Sequence, residues 1–350
     1  AISQSGYLNS DTLELAINKK RAGSNEFIAH SIKKTSPQIT NAELTDFMSQ
    51  TNKVAELLRS LSTEDVISFY RIREGVGGLI DVPNVIPDEI VIPKAGLYGA
   101  YKKGLAHDVP IIFGTNRDEH KLFMFDNPEF VKSKGFFFLE KIFRELDFRY
   151  VPKDSVYYQA YSKYMSMSWK IGGADDPANI LSNFNTAKIF NFRFDWDEEP
   201  TYLWMDFSEI FGAAHGFEIP FVSGSLEFFG FERFIINNKS RPAARELSNS
   251  MMSYWAEFAY SGNPGSGREK DLEKWQPWQN GPGKDKFIIL DSINDKGIYM
   301  SNSELFYGDE LQRLAEDNRI GDIKIKCEYI NNLKESGNKS NFTLEECEKL

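Results

Sequence analysis

Apolar residues along this chain follow two spacings, short continuous runs and stripes three or four residues apart, and the two predict different elements. The runs read as strands. "AISQSG" (1–6) opens as a short apolar strand, and "DVPIIFGTNRDEHKLF" (108–123) begins with a largely β-branched run that fits a buried strand. Gly114 and Asn116 then permit a sharp turn, and Asp118, Glu119 and His120 follow it. "KIFNFRFDW" (188–196) alternates and is rich in aromatics, and "KFIILD" (286–291) is a further apolar run. The stripes read as helices. Thr40 and Glu43 have capping-box spacing ahead of Leu44, Phe47, Met48, Val54, Ala55 and Leu58. In "RPAARELSNSMMSYWAEFAYSGNP" (241–264), Pro242 suits the first turn, Leu247, Met251, Trp255 and Phe258 form the stripe, and Gly262 and Pro264 end it. "GFFFLEKIFRELDF" (135–148) reads as an amphipathic packing helix, and the proline-punctuated "VPNVIPDEIVIP" (82–93) as an extended surface segment. Beyond residue 308 the chain turns polar and charged.

Runs alternating with stripes predict an α/β fold, a mostly parallel central sheet flanked by helices. In such sheets functional groups gather on loops at the carboxyl ends of the strands. Glu119 follows one predicted strand, and His215, in "FGAAHGFEIPFVSG" (211–224), follows another. Set among Gly212, Ala213, Ala214 and Gly216, that histidine lacks the bulky sequence neighbours a core histidine packs against.

Composition narrows the function. The chain is 41% apolar and 14% aromatic, ample for a substantial core, and carries a formal charge of −10. Nucleic-acid binding needs clustered Lys and Arg, so this balance argues against it. No stretch approaches the ~18 continuous apolar residues that span a bilayer, and no signal peptide is visible. Cys327 and Cys347 either pair, closing a loop of about 20 residues and stabilising the tail by ~3 kcal/mol, or are ordinary thiols in a reducing compartment. Asn238, Asn338 and Asn341 begin N-x-S/T patterns, which an Asn- and Ser-rich tail also produces by chance. Together these lean toward a secreted or extracytoplasmic protein and leave the compartment open.

Of the four histidines, His30 lies in a polar segment and His107 in a lead-in turn, so both read as solvated; His120, beside Glu119, reads either way. Neither H-E-x-x-H nor C-x-x-C occurs, so no metal site is expected. "GVGG" (75–78) lacks the full glycine pattern and the preceding strand of a phosphate loop, and no cofactor is expected. The remaining chemistry is a relay in which a carboxylate orients an imidazole that takes a proton from a serine.

At this point a resemblance enters. "VPIIFGTNRDE" is similar to the strand-plus-acid segment of the type-B carboxylesterase/cholinesterase family, and "GAAHGFEIPFV" to its histidine segment. "YWAEFAYSGNP" followed by "KWQPW" resembles its C-terminal helix and the turn beyond, and "AISQSG" the strand after its nucleophile turn. The matches keep the family's order over most of residues 1–300. The resemblance implies the C-terminal portion of an α/β-hydrolase, with 1–308 in one carboxylesterase domain and 309–350 a polar tail. It implies Glu119 as triad acid, His215 as base and Ser5 as a serine supporting them from behind. Read alone, Ser5 is also a buried hydroxyl satisfied by backbone, and Glu218 a locally paired carboxylate. The substrate implied is a small ester; oligomeric state stays open.

No G-x-S-x-G occurs in these residues, and in the family that turn and the glycine-rich oxyanion loop lie upstream of the "AISQSG"-like strand. The expectation is a portion truncated at its N-terminus, lacking its nucleophile and inactive alone, because losing a triad serine costs on the order of 10⁶ in turnover. Departures from the family pattern are His120 in place of glycine, no tryptophan in "YLNSDT", and "FVSG" for "FVFG"; these bear on substrate preference. Two other readings compete: a cholinesterase-like binding or adhesion module without catalysis, against which Glu119 and His215 count, and a non-functional partial gene product.

Overall fold

The apolar runs meet side by side in one sheet. The structure, a computed structural model, describes residues 1–19, 22–71, 82, 84–133, 150–202, 205–228, 232–321 and 326–327. Its strands are β1 (Ile2–Gln4), β2 (Ile111–Asn116), β3 (Val131–Ser133), β4 (Tyr150–Pro152), β5 (Ile189–Phe194), β6 (Thr201–Tyr202), β7 (Met205–Asp206), β8 (Phe287–Leu290) and β9 (Tyr299–Ser301). The central sheet has the order β1-β2-β5-β8-β9. Its first four strands are parallel, and β9 closes the edge antiparallel.

The helices are α1 (Leu13–Asn18), α2 (Ser24–Thr35), α3 (Asn41–Ser49), α4 (Thr51–Ser60), α5 (Thr63–Tyr70) and α6 (Gly96–Lys102) in the first third. They continue with α7 (Ser155–Lys170), α8 (Asp176–Leu181), α9 (Phe207–Ile210), α10 (Glu218–Ser223), α11 (Glu232–Ile235), α12 (Arg241–Ser261) and α13 (Tyr307–Glu316). No helix among the described residues is long and apolar enough to cross a membrane. Two compact units emerge: Asn9–Ala100, and Ala1–Leu8 together with Tyr101–Leu350.

The larger unit holds the sheet. β2 is buried at every residue, because a parallel strand with neighbours on both edges and helices on both faces has no solvent side. Gly114 is not the turn residue the sequence suggested; it lies inside β2, where a Cβ would come within 1.9 Å of the Phe192 ring. The turn comes later. β5 alternates in sequence yet is buried on both faces, with Phe190, Phe192 and Phe194 in the core. Helix α12 lays Leu247, Met251, Trp255 and Phe258 against them; the Trp255 ring meets Phe192 edge-on at 5.1 Å. Its expected stop is present, Gly262 adopting the left-handed conformation at φ 72°. Helix α13 spans residue 308, where the polar tail was expected to begin, and Leu314 and the following Ile320 are buried against Met124 and Tyr161. Cys327 is disulfide-bonded; Cys347, like Asn338, Asn341, "GVGG" and 135–148, lies outside the described residues.

The smaller unit is helical. Thr40 and Glu43 form the expected capping box, and Ser62 and Asp65 form a second. The single stripe from Leu44 to Leu58 divides into α3 and α4 at Gln50, whose N–H bonds Phe47 O and whose side-chain amide bonds Asp46. Side-chain and tightened backbone bonds there replace the continuing α-ladder. The 82–93 segment bridges Ser10 through Val85 and leaves Ile90 and Val91 exposed.

Candidate active site

Two loops at the carboxyl ends of the sheet are zipped together. Glu119 begins a short 3-10 helix, Glu119–Phe123, three residues past the end of β2. The Asp118 N–H donates to Ala213 O (3.0 Å) and the Ala213 N–H returns to Asp118 Oδ2 (3.2 Å). Asn116 Nδ2 donates to Ala214 O (2.7 Å), and the His215 N–H to Glu119 O (3.3 Å). Gly212 is required for this approach: its φ is 47°, and a Cβ would sit 2.6 Å from Asp118 Oδ2. Sequence-distant loops are thereby held in fixed register.

That register joins the two predicted residues. His215 Nδ1 lies 2.7 Å from Glu119 Oε2. A carboxylate only accepts, so Nδ1 carries the hydrogen and Nε2 the lone pair of the neutral ring. The other oxygen, Oε1, accepts from the Asn116 N–H (2.7 Å) and from Ser5 Oγ (2.5 Å). Glu119 is fully buried, while the His215 side chain keeps 29% of its surface exposed. Burial pushes the imidazole down, but the hydrogen bond and charge of Glu119, with Glu218 behind, outweigh it and hold His215 above its ordinary value. The group can orient a base toward solvent and stabilise its protonated form.

The sequence profile of the carboxylesterase family matches residues 1–299. This chain belongs to the carboxylesterase family. It is 27% identical over 218 residues to para-nitrobenzyl esterase of Bacillus subtilis, covering 61% of this chain and 39% of that protein. Cocaine esterase of Homo sapiens is 33% identical over 88 residues, 25% of this chain and 15% of that protein. Among solved structures, PNB esterase superposes with a TM-score of 0.52 at 21% identity, covering 90% of this chain and 57% of that one. The fold is that of the α/β-hydrolase esterases. This carboxylesterase-family chain spans less than two thirds of each of these relatives.

Several residues of this family member depart from the sequence reading. Glu218 does not pair locally: Gln4 Nε2 donates to its Oε1 (3.0 Å) and Asn116 Nδ2 to its Oε2 (2.6 Å). Trp255 Nε1 donates in turn to Gln4 Oε1 (3.1 Å), tying α12 to the network. Burial and the nearby Glu119 push Glu218 up, against the two hydrogen bonds. His120 packs on Phe123 and Tyr161, and burial pushes it down to about 4. His30 and His107 are exposed. Gln4 and Trp169 escaped the sequence reading, and Asn116, read there as a turn residue, is the last residue of β2 and donates its N–H to Glu119; Trp169 lies 4.7 Å from the His215 ring. Apart from this site, Asp197, Asp291 and Asp295 bring carboxylate oxygens within 4.8 Å of one another, a grouping common on protein surfaces without an ion.

Proposed function

We propose that this chain carries the acid and base of a serine carboxylesterase and that the nucleophile is a serine outside these 350 residues, which contain no G-x-S-x-G. The observation carrying the reading is the 2.7 Å bond between His215 Nδ1 and Glu119 Oε2, which links loops 96 residues apart. His215 Nε2 takes the serine proton as its oxygen attacks the ester carbonyl. The imidazolium, held by Glu119, then protonates the leaving alcohol, and an acyl-enzyme remains. Water, deprotonated by the same nitrogen, releases the acid and restores the serine. Ser5 supports the carboxylate from behind, and the ester is small. No cofactor or metal enters these steps.

Only the neutral imidazole accepts a proton, so kcat/KM rises with pH through a midpoint above the ordinary histidine value of 6.5. The test is hydrolysis of a short-chain nitrophenyl ester by the full-length protein and its His215→Ala variant. The variant loses about 10⁶ in kcat, and the 350-residue chain alone gives no turnover above buffer. Unchanged hydrolysis after His215→Ala overturns the assignment.

A further inference from the structure

We propose that Trp169 is a positioning residue for the Ser5–Glu119–His215 group, its indole face favouring the charged imidazole and its N–H locking Ser5 where it reaches Glu119. The inference rests on the reading of His215 as the base.

The face comes first. Trp169 is the penultimate residue of α7, and its ring centroid lies 4.7 Å from that of His215 with the planes 32° apart. A cation within about 6 Å of an indole face is attracted by the negative charge on that face. The charged groups acting on the imidazole are Glu119, bonded to Nδ1, and Glu218 behind it. Among the described residues its other ring neighbour is Phe123 at 5.7 Å, with the neutral His120 beyond. Trp169 itself is stacked on Phe123 at 5.9 Å and backed by Tyr7 at 5.0 Å, so its face is fixed before any proton moves.

The edge acts on Ser5. This serine has φ 54°, in the left-handed region that favours glycine. Its three polar groups are all engaged: the N–H donates to Gly114 O (2.8 Å), Oγ donates to Glu119 Oε1 (2.5 Å), and its carbonyl accepts from Trp169 Nε1 (3.0 Å). A conformation of this kind persists where the surroundings over-determine it. Trp169 supplies one of the three restraints.

The helix is built to deliver it. Past Lys170 the chain makes a π-turn, Ile171–Asp175, a rare element that marks functional sites more often than chance. A buried ion pair between Lys170 and Asp175, five residues apart, spans that wider turn. Gly173 meets the next segment of the site: a Cβ there would fall 2.4 Å from Gly6 O. The π-turn therefore rests on the Ser5–Gly6 backbone and sets the end of α7 beside it.

The test replaces Trp169 with 5-fluoro- and then tetrafluorotryptophan, which weaken the face and keep the shape. The His215 titration is followed by NMR, its resonance assigned with His215→Gln. The midpoint falls in steps, by about half a pH unit overall, and the acid limb of kcat/KM moves down with it. A midpoint constant across the series overturns the role of the face. Trp169→Phe keeps a ring without the N–H; it lowers kcat about tenfold at unchanged KM, the loss of one hydrogen bond. A raised KM at constant kcat makes Trp169 a substrate contact and overturns the role of the edge. The NMR titration needs no turnover, so it stands even if His215→Ala leaves hydrolysis intact and the esterase reading falls.

Discussion

Adjacent strands β2 and β5 both lead into a buried glutamate, and the two are treated in opposite ways. Glu119, wholly buried, receives the Asn116 N–H, the Ser5 hydroxyl and His215 Nδ1. Glu199, only 6% exposed, has both carboxylate oxygens buried with no hydrogen-bond partner among the described residues. Burial, aided by the charge of Asp197, holds Glu199 well above the usual carboxylate range. Burial alone therefore does not make a carboxylate a site. What sets Glu119 apart is that donors from three separate elements converge on it and fix where its two oxygens point.

The contrast can be broken most directly by Glu119→Gln. The amide presents an N–H where Nδ1 needs an acceptor, so the imidazole turns to its other tautomer and kcat falls by about 10⁴. Nitrophenyl-ester kinetics check this, and Glu199→Gln, measured alongside, leaves kcat unchanged. Next in size is Ser5→Ala, which removes one charge-assisted bond to Glu119 and lowers kcat by about 10- to 100-fold.

Glu199→Leu removes an unsatisfied buried carboxyl and stabilises the protein by about 1–3 kcal/mol in urea unfolding; Glu119→Leu destabilises it. The smallest effect concerns pH. Burial pushes Glu198 up to about 7 and Asp291 up to about 6, with the surrounding Asp charges adding to both. The folded protein then holds protons that the unfolded chain has released, so stability from these groups is full below about pH 4 and is lost as pH rises toward 7. Tm measured at pH 5 and pH 7 falls between the two, and Glu198→Gln lessens the fall. His215, raised as well, adds stability below pH 6.5 that is lost as pH climbs through its higher folded value.

How much of this could be read beforehand depends on where each residue's partners lie. The α12 stripe and its Gly262 stop, and the Thr40–Glu43 box, were readable because their determinants sit within one or two turns. Glu119 and His215 were readable through the segments that resemble the carboxylesterase family. Gly114 was misread as a turn residue because the ring that excludes its Cβ belongs to Phe192, on another strand. Glu218 was misread because its partners are Gln4 and Asn116, 214 and 102 residues away.

The sequence by itself determined the elements, the alternation that makes an α/β sheet, and which acid and which histidine were worth pairing. The elements and their alternation follow from local spacing and caps, which act over a few residues; the acid and the histidine were singled out by the segments that resemble the carboxylesterase family. Tertiary structure alone decided that Asp118 and Ala213 zip the two loops, that Ser5 takes a left-handed conformation to meet Glu119, and that an indole from α7 lies on the imidazole. Each of those contacts forms only after the sheet brings distant segments together, and no periodicity along the chain encodes a distance of that kind.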